Sequence, residues 1–348
     1  MKKTLIALAA VAAASASFAQ VSITGGLDFT LNKAISVAAS GAAAKGIAMT
    51  DAYLDFSASE DLGGGMKASM FMELNADGER SGGVYSGDRI ISLSGGVGSL
   101  TIANTWTGGT LGAVMLAPTV SPSDHNSGAA AVFTATAAVA AVAGNAGTAA
   151  VAVAPATGAA GVKTRSKADV LVVSIPLSAQ LTASYKYVEG DSTTNTPART
   201  LNVLAASFKQ APFSATVDYN MVNLPDGAQS NTLRMTKVTA NAMYDAGFAK
   251  FAIGYDGPNV LTATTETTGR GANAMFFGAS APLGNTLVGL SYGVRDIASF
   301  YEIGAKYDLS KRTFIGASYS SFTNAAAQPQ TGATYTTDSY GLRLGHTF

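Results

Sequence analysis

Apolar and polar residues alternate with a period of two along most of the chain after residue 20. In residues 21–32 the odd positions carry Val21, Ile23, Leu27, Phe29 and Leu31, while the even positions are mostly polar. The alternation recurs in residues 51–58, 67–75, 181–187, 215–221, 249–256, 301–309 and 340–348. This period predicts β-strands with one apolar and one polar face. No segment after residue 20 has the spacing of an amphipathic helix that could cover the apolar faces.

The connections between these strands alternate in length. Short turns are predicted at residues 60–65, 95–98, 176–178, 209–212, 245–247, 282–285 and 310–312. Mostly longer, more polar loops are predicted at residues 33–48, 78–87, 190–198, 223–231, 258–269 and 324–335. Short turns on one rim and long loops on the other are typical of outer-membrane barrels, whose short turns are periplasmic. A soluble sandwich or solenoid is the alternative, but it does not require this asymmetry. The sequence therefore predicts an all-β fold, an antiparallel transmembrane β-barrel of about 16 strands.

The amino terminus predicts export. Lys2 and Lys3 precede an apolar stretch, and Ser17-Phe18-Ala19 has the small residues of a signal-peptidase site, so residues 1–19 are predicted to be a cleaved signal peptide. Residues 20–348 would then form the barrel. Cysteine is absent, and the 22 basic residues balance the 22 acidic ones, so no charge excess indicates nucleic acid as a partner. A mean hydropathy of +0.23 without an apolar run long enough for a spanning helix also suits a barrel.

One connection is far longer than the others. More than fifty residues, about 107–164, separate two predicted strands, and residues 128–162 contain no Asp, Glu, Lys or Arg. A transmembrane helix is rejected there because the stretch lacks Leu and Ile and is interrupted by glycine and Pro155. A connection of this length is either functional or a disordered low-complexity insertion, and both interpretations stay open for its Ala-rich half.

Enzymatic chemistry has one candidate motif. Residues 289–293 match G-x-S-x-G, but that motif marks a nucleophile only between a strand and a helix, whereas Ser291 lies inside an alternating strand. The two histidines, His125 and His346, are far apart in the sequence and match no zinc motif. The sequence therefore predicts no enzyme, no metal and no cofactor.

Four stretches resemble the general porins of Gram-negative bacteria, especially the β-proteobacterial branch. Residues 60–68 are similar to that family's first turn, residues 91–101 to its next hairpin, residues 307–313 to a late turn and residues 341–348 to the closing strand. The resemblance implies a homotrimer of 16-stranded barrels in the outer membrane, each a water-filled pore with the third loop folded into the lumen. It also implies that the strand ending at Phe348 is read by the outer-membrane assembly machinery, and that the barrel contacts outer-membrane lipid and lipopolysaccharide.

One position departs from the family pattern. The family usually has an arginine after a Leu-Gly pair in the strand before the third loop, where this chain has Ile102-Ala103-Asn104. Asp124 is the only acidic residue of the loop. The resemblance favours anions, and Asn104 argues against a strong preference.

The pore lining is predicted from parity and from the resemblance. Inward-facing parity is assigned to Lys67, Arg295, Lys306, Arg343, Glu302 and Asp308, and the third-loop region adds Asn104, Asp124 and Arg165. Charges of both signs on a lumen wall hold water and influence ion preference. The predicted function is a channel for passive diffusion of small hydrophilic solutes and ions. The alternatives are a substrate-selective channel and a barrel whose exposed loops act as an adhesin or receptor surface.

Overall fold

A computed structural model describes residues 20–36, 45–75, 85–107, 114, 116–117, 166–190, 200–224, 233–257, 260–262, 273–295, 298–324 and 335–348. The strands are β1 Gln20–Ser36, β2 Lys45–Gly63, β3 Met66–Asn75, β4 Tyr85–Gly95, β5 Gly98–Thr107, β6 Ser166–Pro176, β7 Leu181–Gly190, β8 Thr200–Gln210, β9 Phe213–Leu224, β10 Leu233–Asp245, β11 Lys250–Asp256, β12 Val260–Thr262, β13 Ala274–Leu283, β14 Thr286–Arg295, β15 Ala298–Asp308, β16 Thr313–Asn324 and β17 Tyr335–Thr347. Among these residues there is no helix long and apolar enough to span a membrane.

The sheet is antiparallel and closed. β1 pairs with β2 on one side and with β17 on the other, and the seam between β1 and β17 runs from Gly26 opposite Thr347 to Ser36 opposite Thr337. The backbone of Phe348 extends the seam, because its N–H donates to the Gly25 carbonyl at 2.9 Å. Closure leaves no sheet edge, so no row of unpaired backbone N–H and C=O groups is exposed to lipid.

β11 and β12 are two segments of one barrel strand. Both pair with β10, but Thr239 is opposite Asp256 whereas Thr236 is opposite Val260, so one extra residue lies between the two segments. Gly257 at this point donates its N–H to the Val238 carbonyl at 2.8 Å. This is a β-bulge. The barrel therefore has sixteen strands, and the predicted fold class is confirmed.

The two faces of the wall differ in chemistry. Large apolar side chains are exposed on one face, for example Val21 at 64%, Ile23 at 56% and Leu342 at 57%. The opposite face carries buried polar residues such as Asp28 and Glu302, at 5% and 7% exposure. A water-soluble protein has the reverse distribution, so the apolar face is the outer one and meets lipid. The alternation predicted from the sequence is the alternation of these two faces.

The short turns lie where the sequence predicts them. The β2–β3 turn contains Gly63, Gly64 and Gly65, all with positive φ (79°, 61° and 79°), a conformation that favours glycine. Two other turns share one design. The hydroxyl of Ser178 accepts the N–H groups of Gln180 and Leu181, and that of Ser310 accepts those of Arg312 and Thr313, at 3.0–3.2 Å. These side chains pair backbone groups that the turns leave open.

Several predicted loop boundaries were wrong. The loop predicted at residues 78–87 ends earlier, because β4 begins at Tyr85. The loop predicted at residues 33–48 is shorter, because β1 continues to Ser36 and β2 begins at Lys45. The loop predicted at residues 258–269 contains β12. In these places the neighbouring strand supplies backbone partners that extend the strand, which local sequence does not reveal.

The third long connection begins after Thr107 and ends before Ser166. Within it the structure describes Val114, Leu116 and Ala117, and these residues contact the inner face of β13 and β14. The rest of the predicted loop, with Asp124, His125 and the charge-free stretch, lies outside the described residues. Folding of the whole loop into the lumen stays a prediction, as do cleavage after Ala19 and the signal peptide of residues 1–19.

The packing of the seam generates a stability prediction. A Cβ at Gly345 would collide with the Asp28 carboxylate and the Phe314 ring, whereas a Cβ at Gly316, on the neighbouring strand, makes only ordinary contacts of 3.6–3.7 Å. We expect Gly345→Ala to lower the free energy of unfolding by about 1–3 kcal/mol through overpacking. The measurement is urea-induced unfolding in lipid vesicles, followed by electrophoretic mobility.

Gly316→Ala is the matched control for this substitution. We expect it to be neutral or to stabilise the barrel by roughly 0.5–1 kcal/mol, because alanine loses less backbone freedom than glycine in a strand. Equal effects of the two substitutions would contradict the seam packing described above.

Candidate functional site

Ionised side chains gather at the seam on the inner face. Arg343 on β17 donates through Nη2 to Oδ2 of Asp28 on β1, and both side chains are largely buried. The Arg343 Cζ lies 5.1 Å from the centre of the Phe314 ring, and the Lys306 Nζ lies 5.2 Å from the same centre. Lys306 also pairs with Asp308 at 3.1 Å. In this seam cluster one aromatic ring contacts two cations, each with a carboxylate partner.

A second polar group lies on the inner face of β9, β10 and β11. Lys237 Nζ is 2.6 Å from Asp256 Oδ1, and the Asp256 side chain is only 3% exposed. Thr239, directly opposite Asp256, donates its hydroxyl to Asp218 at 3.3 Å. The Asn220 amide contacts the Thr239 hydroxyl at 3.4 Å. We call these five residues the β9–β11 network. Pairing of this kind offsets the cost of burying charge in the wall.

Part of the inner face is apolar. Ala103, Val170 and Val188 are buried at 4–7% exposure, and Ile90, Val172 and Leu201 pack against them. These residues lie on β4 to β8, on the face opposite the exposed Ile91 and Ile102. The inner wall therefore carries a buried apolar cluster as well as charged groups, and Lys186 lies beside that cluster, opposite Val172.

The nucleophile motif lies inside β14. Ser291 is fully buried on the inner face, and its Oγ accepts the Ala117 N–H at 3.0 Å. Glu302 is its cross-strand neighbour on β15. His346 lies on the outer face, with its Nδ1 2.9 Å from the Thr313 hydroxyl, so it cannot act on Ser291. Within the described part of the chain no group of three potential metal ligands is present.

The predicted site residues do not all lie together. Lys306, Asp308 and Arg343 come together in the seam cluster, Glu302 lies beside Ser291, and Lys67 is exposed next to the β2–β3 turn. Asp124 and Arg165 lie outside the described residues, and only the backbone of Arg295 is described, as the last residue of β14.

Asn104 lies on the outer face, where its parity on β5 matches that of the exposed Ile102. Its amide donates to Asp169 at 2.8 Å, and its other cross-strand neighbour is Arg89. The sequence prediction assigned Asn104 to the pore, because it followed a family position rather than the alternation of this strand. The period of two, applied from Leu100 onwards, would have indicated the outer face.

The predicted site set lacked the residues of the β9–β11 network and, at the seam, Asp28. The parity of Asp28 indicates the inner face, but its position beside Arg343 depends on closure between the first and the last strand. The contacts of Val114 and Ala117 with β13 and β14 have no signal in the sequence pattern either, because Ala117 and Ser291 are 174 positions apart and Val114 is similarly far from Gly278.

A closed barrel with an apolar outer face and charged clusters on its inner face defines the class of transmembrane β-barrels. The family model described as Gram-negative porin matches residues 4–327. The chain therefore belongs to the Gram-negative porin family, whose place is the outer membrane.

A curated relative is also an outer-membrane porin. The chain is 37% identical over 109 residues to "Outer membrane porin protein 32" of Delftia acidovorans, a match that covers 29% of this chain and 31% of that relative. The match thus spans less than a third of that relative's length.

Solved structures share the fold. An anion-selective porin from Comamonas acidovorans superposes with a TM-score of 0.67 at 20% identity, covering 95% of this chain and 100% of that one. A loop-deletion mutant of OmpT from Vibrio cholerae gives a TM-score of 0.59 at 11% identity, with 95% and 99% coverage. A mutant of the Rh. blastica porin gives 0.57 at 14% identity, with 94% and 100% coverage. At these identities the similarity shows the fold alone.

The β9–β11 network generates a second stability prediction. We expect Lys237→Met to lower the free energy of unfolding by about 1.5–3 kcal/mol, because the buried Asp256 carboxylate loses a charged partner. Lys250→Met is the matched control, since its pair with Asp245 is 3.7 Å long and half exposed and should contribute less than about 1 kcal/mol. The measurement is the urea midpoint of each variant in vesicles. Equal midpoints for both variants would show that the Lys237 pair does not stabilise the wall.

Proposed function

We propose that the barrel is a water-filled channel through which small hydrophilic solutes and ions diffuse passively across the outer membrane. The observation that carries this proposal is the inner face of the wall, where ionised side chains of both signs are held by partners within the wall. Such a surface binds water and interacts with dissolved ions, whereas the outer face is suited to lipid. We also propose that the channel has no catalytic activity, since the Ser291 hydroxyl is buried and bonded to the Ala117 N–H.

We propose a weak ion preference. The structural relative from Comamonas acidovorans is named as anion-selective, but in this chain each cation of the seam cluster has a carboxylate partner, Asp28 for Arg343 and Asp308 for Lys306. Paired charges leave a smaller net field than a wall of cations. We therefore propose that Lys306, Asp308, Arg343 and Glu302 influence which ions pass without excluding either sign.

A substrate-selective channel is the second candidate, and the apolar region of the inner face supports it. Ala103, Val170 and Val188 would give a less polar path on one side of the lumen. A solute with one apolar side would then pass more easily than a fully polar solute of the same size.

The remaining features are proposals based on the family. We propose that residues 1–19 are removed on export, that the barrels assemble as homotrimers in contact with lipopolysaccharide, and that the strand ending at Phe348 is recognised by the assembly machinery. We further propose that Asp124 and Arg165 lie near the narrowest part of the pore.

The channel function predicts conductance. The purified protein, added to a planar lipid bilayer, should produce stepwise current increases that are proportional to voltage. The control is the same preparation unfolded by boiling in detergent. If the folded protein inserts, as judged by its protection from protease, and produces no steps, the proposed function is wrong.

The seam cluster predicts how selectivity responds to charge. Lys306→Gln removes a cation of the inner wall and leaves Asp308 without this partner, so the reversal potential in a salt gradient should shift towards cations. Lys311→Gln removes the same charge from the exposed β15–β16 turn and should change the reversal potential less, because solvent screens it. A larger shift for Lys311→Gln than for Lys306→Gln would contradict the assignment of Lys306 to the pore.

A further inference from the structure

Two consecutive glycines, Gly25 and Gly26, interrupt the alternation of β1. Every other outer-face position between residues 21 and 31 carries a large apolar side chain, namely Val21, Ile23, Leu27, Phe29 and Leu31. Glycine inside a strand weakens it, because glycine has no side chain to pack and loses more backbone freedom on folding than other residues. Two glycines in one strand therefore need a structural reason.

The ring of Phe348 covers Gly25 on the outer face. The two residues are directly opposite each other across the seam. The Phe348 N–H donates to the Gly25 carbonyl at 2.9 Å, and the Gly25 N–H donates to the main-chain oxygen of Phe348 at 3.4 Å. A Cβ on residue 25 would lie 2.5 Å from the Cζ of this ring. The ring therefore occupies the space that any other residue at position 25 would need for its side chain.

The ring of Tyr53 covers Gly26 on the inner face. Tyr53 on β2 is directly opposite Gly26, and a Cβ on residue 26 would lie 2.8–2.9 Å from the ring and its hydroxyl. Both glycines are buried. Strand β1 thus receives one ring from each side, from the residue that follows β17 on the outer face and from β2 on the inner face.

Alternation alone does not define the register of the seam. A slip by one residue would turn every side chain to the wrong face, but a slip by two residues would keep the apolar positions outside and the polar positions inside. A slip by two would, however, place the Phe348 ring opposite Ile23 or Leu27, where a large side chain already fills the outer face. Pairing of an aromatic ring with a glycine across two strands is one way to fix register in a β-sheet.

We infer that Gly25 and Gly26 form a two-sided notch that sets the register in which the barrel closes. Phe348 fills the outer side of the notch and Tyr53 fills the inner side, so β1 is fixed against both of its neighbours. The notch thereby decides which residues of β1 and β17 are opposite each other, and with them the approach of Arg343 to Asp28 in the lumen wall. This inference concerns closure of the wall and does not depend on the proposed channel function.

A double-mutant cycle tests the outer side of the notch. Gly25→Ala is measured in the native chain and in a Phe348→Ala background, by urea unfolding of protein refolded into lipid vesicles. In the native chain the substitution should lower the ratio of folded to unfolded protein about tenfold, because the ring must leave its place. In the Phe348→Ala background the loss should be roughly fivefold smaller. The contact of the new Cβ with the Tyr53 carbonyl, at 2.7 Å, is present in both backgrounds and cancels.

Gly316→Ala is the matched control, because a Cβ there makes only ordinary contacts of 3.6–3.7 Å and none of them involves Phe348. Its effect should be the same in both backgrounds. The cycle of Gly26→Ala with Tyr53→Ala tests the inner side in the same way. Additive effects in either cycle would overturn the two-sided notch.

A disulfide measurement reports the register itself. The chain has no cysteine, and Leu31 is directly opposite Leu342 on the outer face of the seam. Leu31→Cys/Leu342→Cys should therefore crosslink on mild oxidation, because a disulfide joins Cα atoms about 4.4–6.8 Å apart. Leu31→Cys/Tyr340→Cys reports a slip by two residues and should not crosslink in the native chain. Crosslinking is seen as faster migration on a non-reducing denaturing gel.

A change in the position of the notch should move this pattern. In Ile23→Gly/Gly25→Ile the open outer-face position moves by two residues, so crosslinking should shift from the Leu342 pair to the Tyr340 pair. If this variant folds, as judged by protection from protease, and still crosslinks only the native pair, the notch does not set the register. If it does not fold, the two cycles, each of which adds a single methyl group to β1, decide the question.

Discussion

In a lipid bilayer, a backbone N–H or C=O group without a partner costs several kcal/mol. A sheet placed there must therefore have no edge, and the pairing of β1 with β17 supplies this condition for the chain. Phe348 extends the pairing to the last residue through Gly25. Once the sheet is closed, each strand has one face towards lipid and one towards the lumen, and the alternation of apolar and polar residues follows from this. Closure also brings Asp28 and Arg343 together, so the seam cluster is a direct product of it.

The inner wall combines regions with different chemistry. The seam cluster and the β9–β11 network hold ionised groups beside opposite charges, which limits the field that either sign produces on its own. Ala103, Val170 and Val188 form a buried apolar cluster, beside which Lys186 is the cross-strand neighbour of Val172. On β13 and β14 the inner face carries glycine and serine, and Val114, Leu116 and Ala117 pack against it. A solute in the lumen would therefore meet a different surface on each side, and its path depends on the whole circumference rather than on one residue.

Most of the fold could be predicted from the sequence, because strand alternation and turn residues are local signals. The short turns at Gly63–Gly65 and Ser310, the strand count and the inward parity of Lys306 and Arg343 all follow from neighbouring residues. The rest depends on contacts between distant strands. The bulge at Gly257 requires knowledge of β10, and the partner of Arg343 requires closure. Asn104 was misplaced because a family position was preferred to the alternation that begins at Leu100. The contact between Ala117 and Ser291 joins residues 174 positions apart, and no periodic pattern in the sequence indicates it.

The seam also has a consequence for how the chain folds. Asp28 and Arg343 are 315 positions apart, and contacts so distant form only after a large loss of chain entropy. Fourteen of the sixteen barrel strands lie between the two that meet at the seam, so the first and last strands can join only when the rest of the wall is near its final curvature. Until then both would present unpaired edges, which are templates for aggregation. For this chain, the slow step of biogenesis is therefore expected to be the capture of the carboxy-terminal strand by the amino-terminal one.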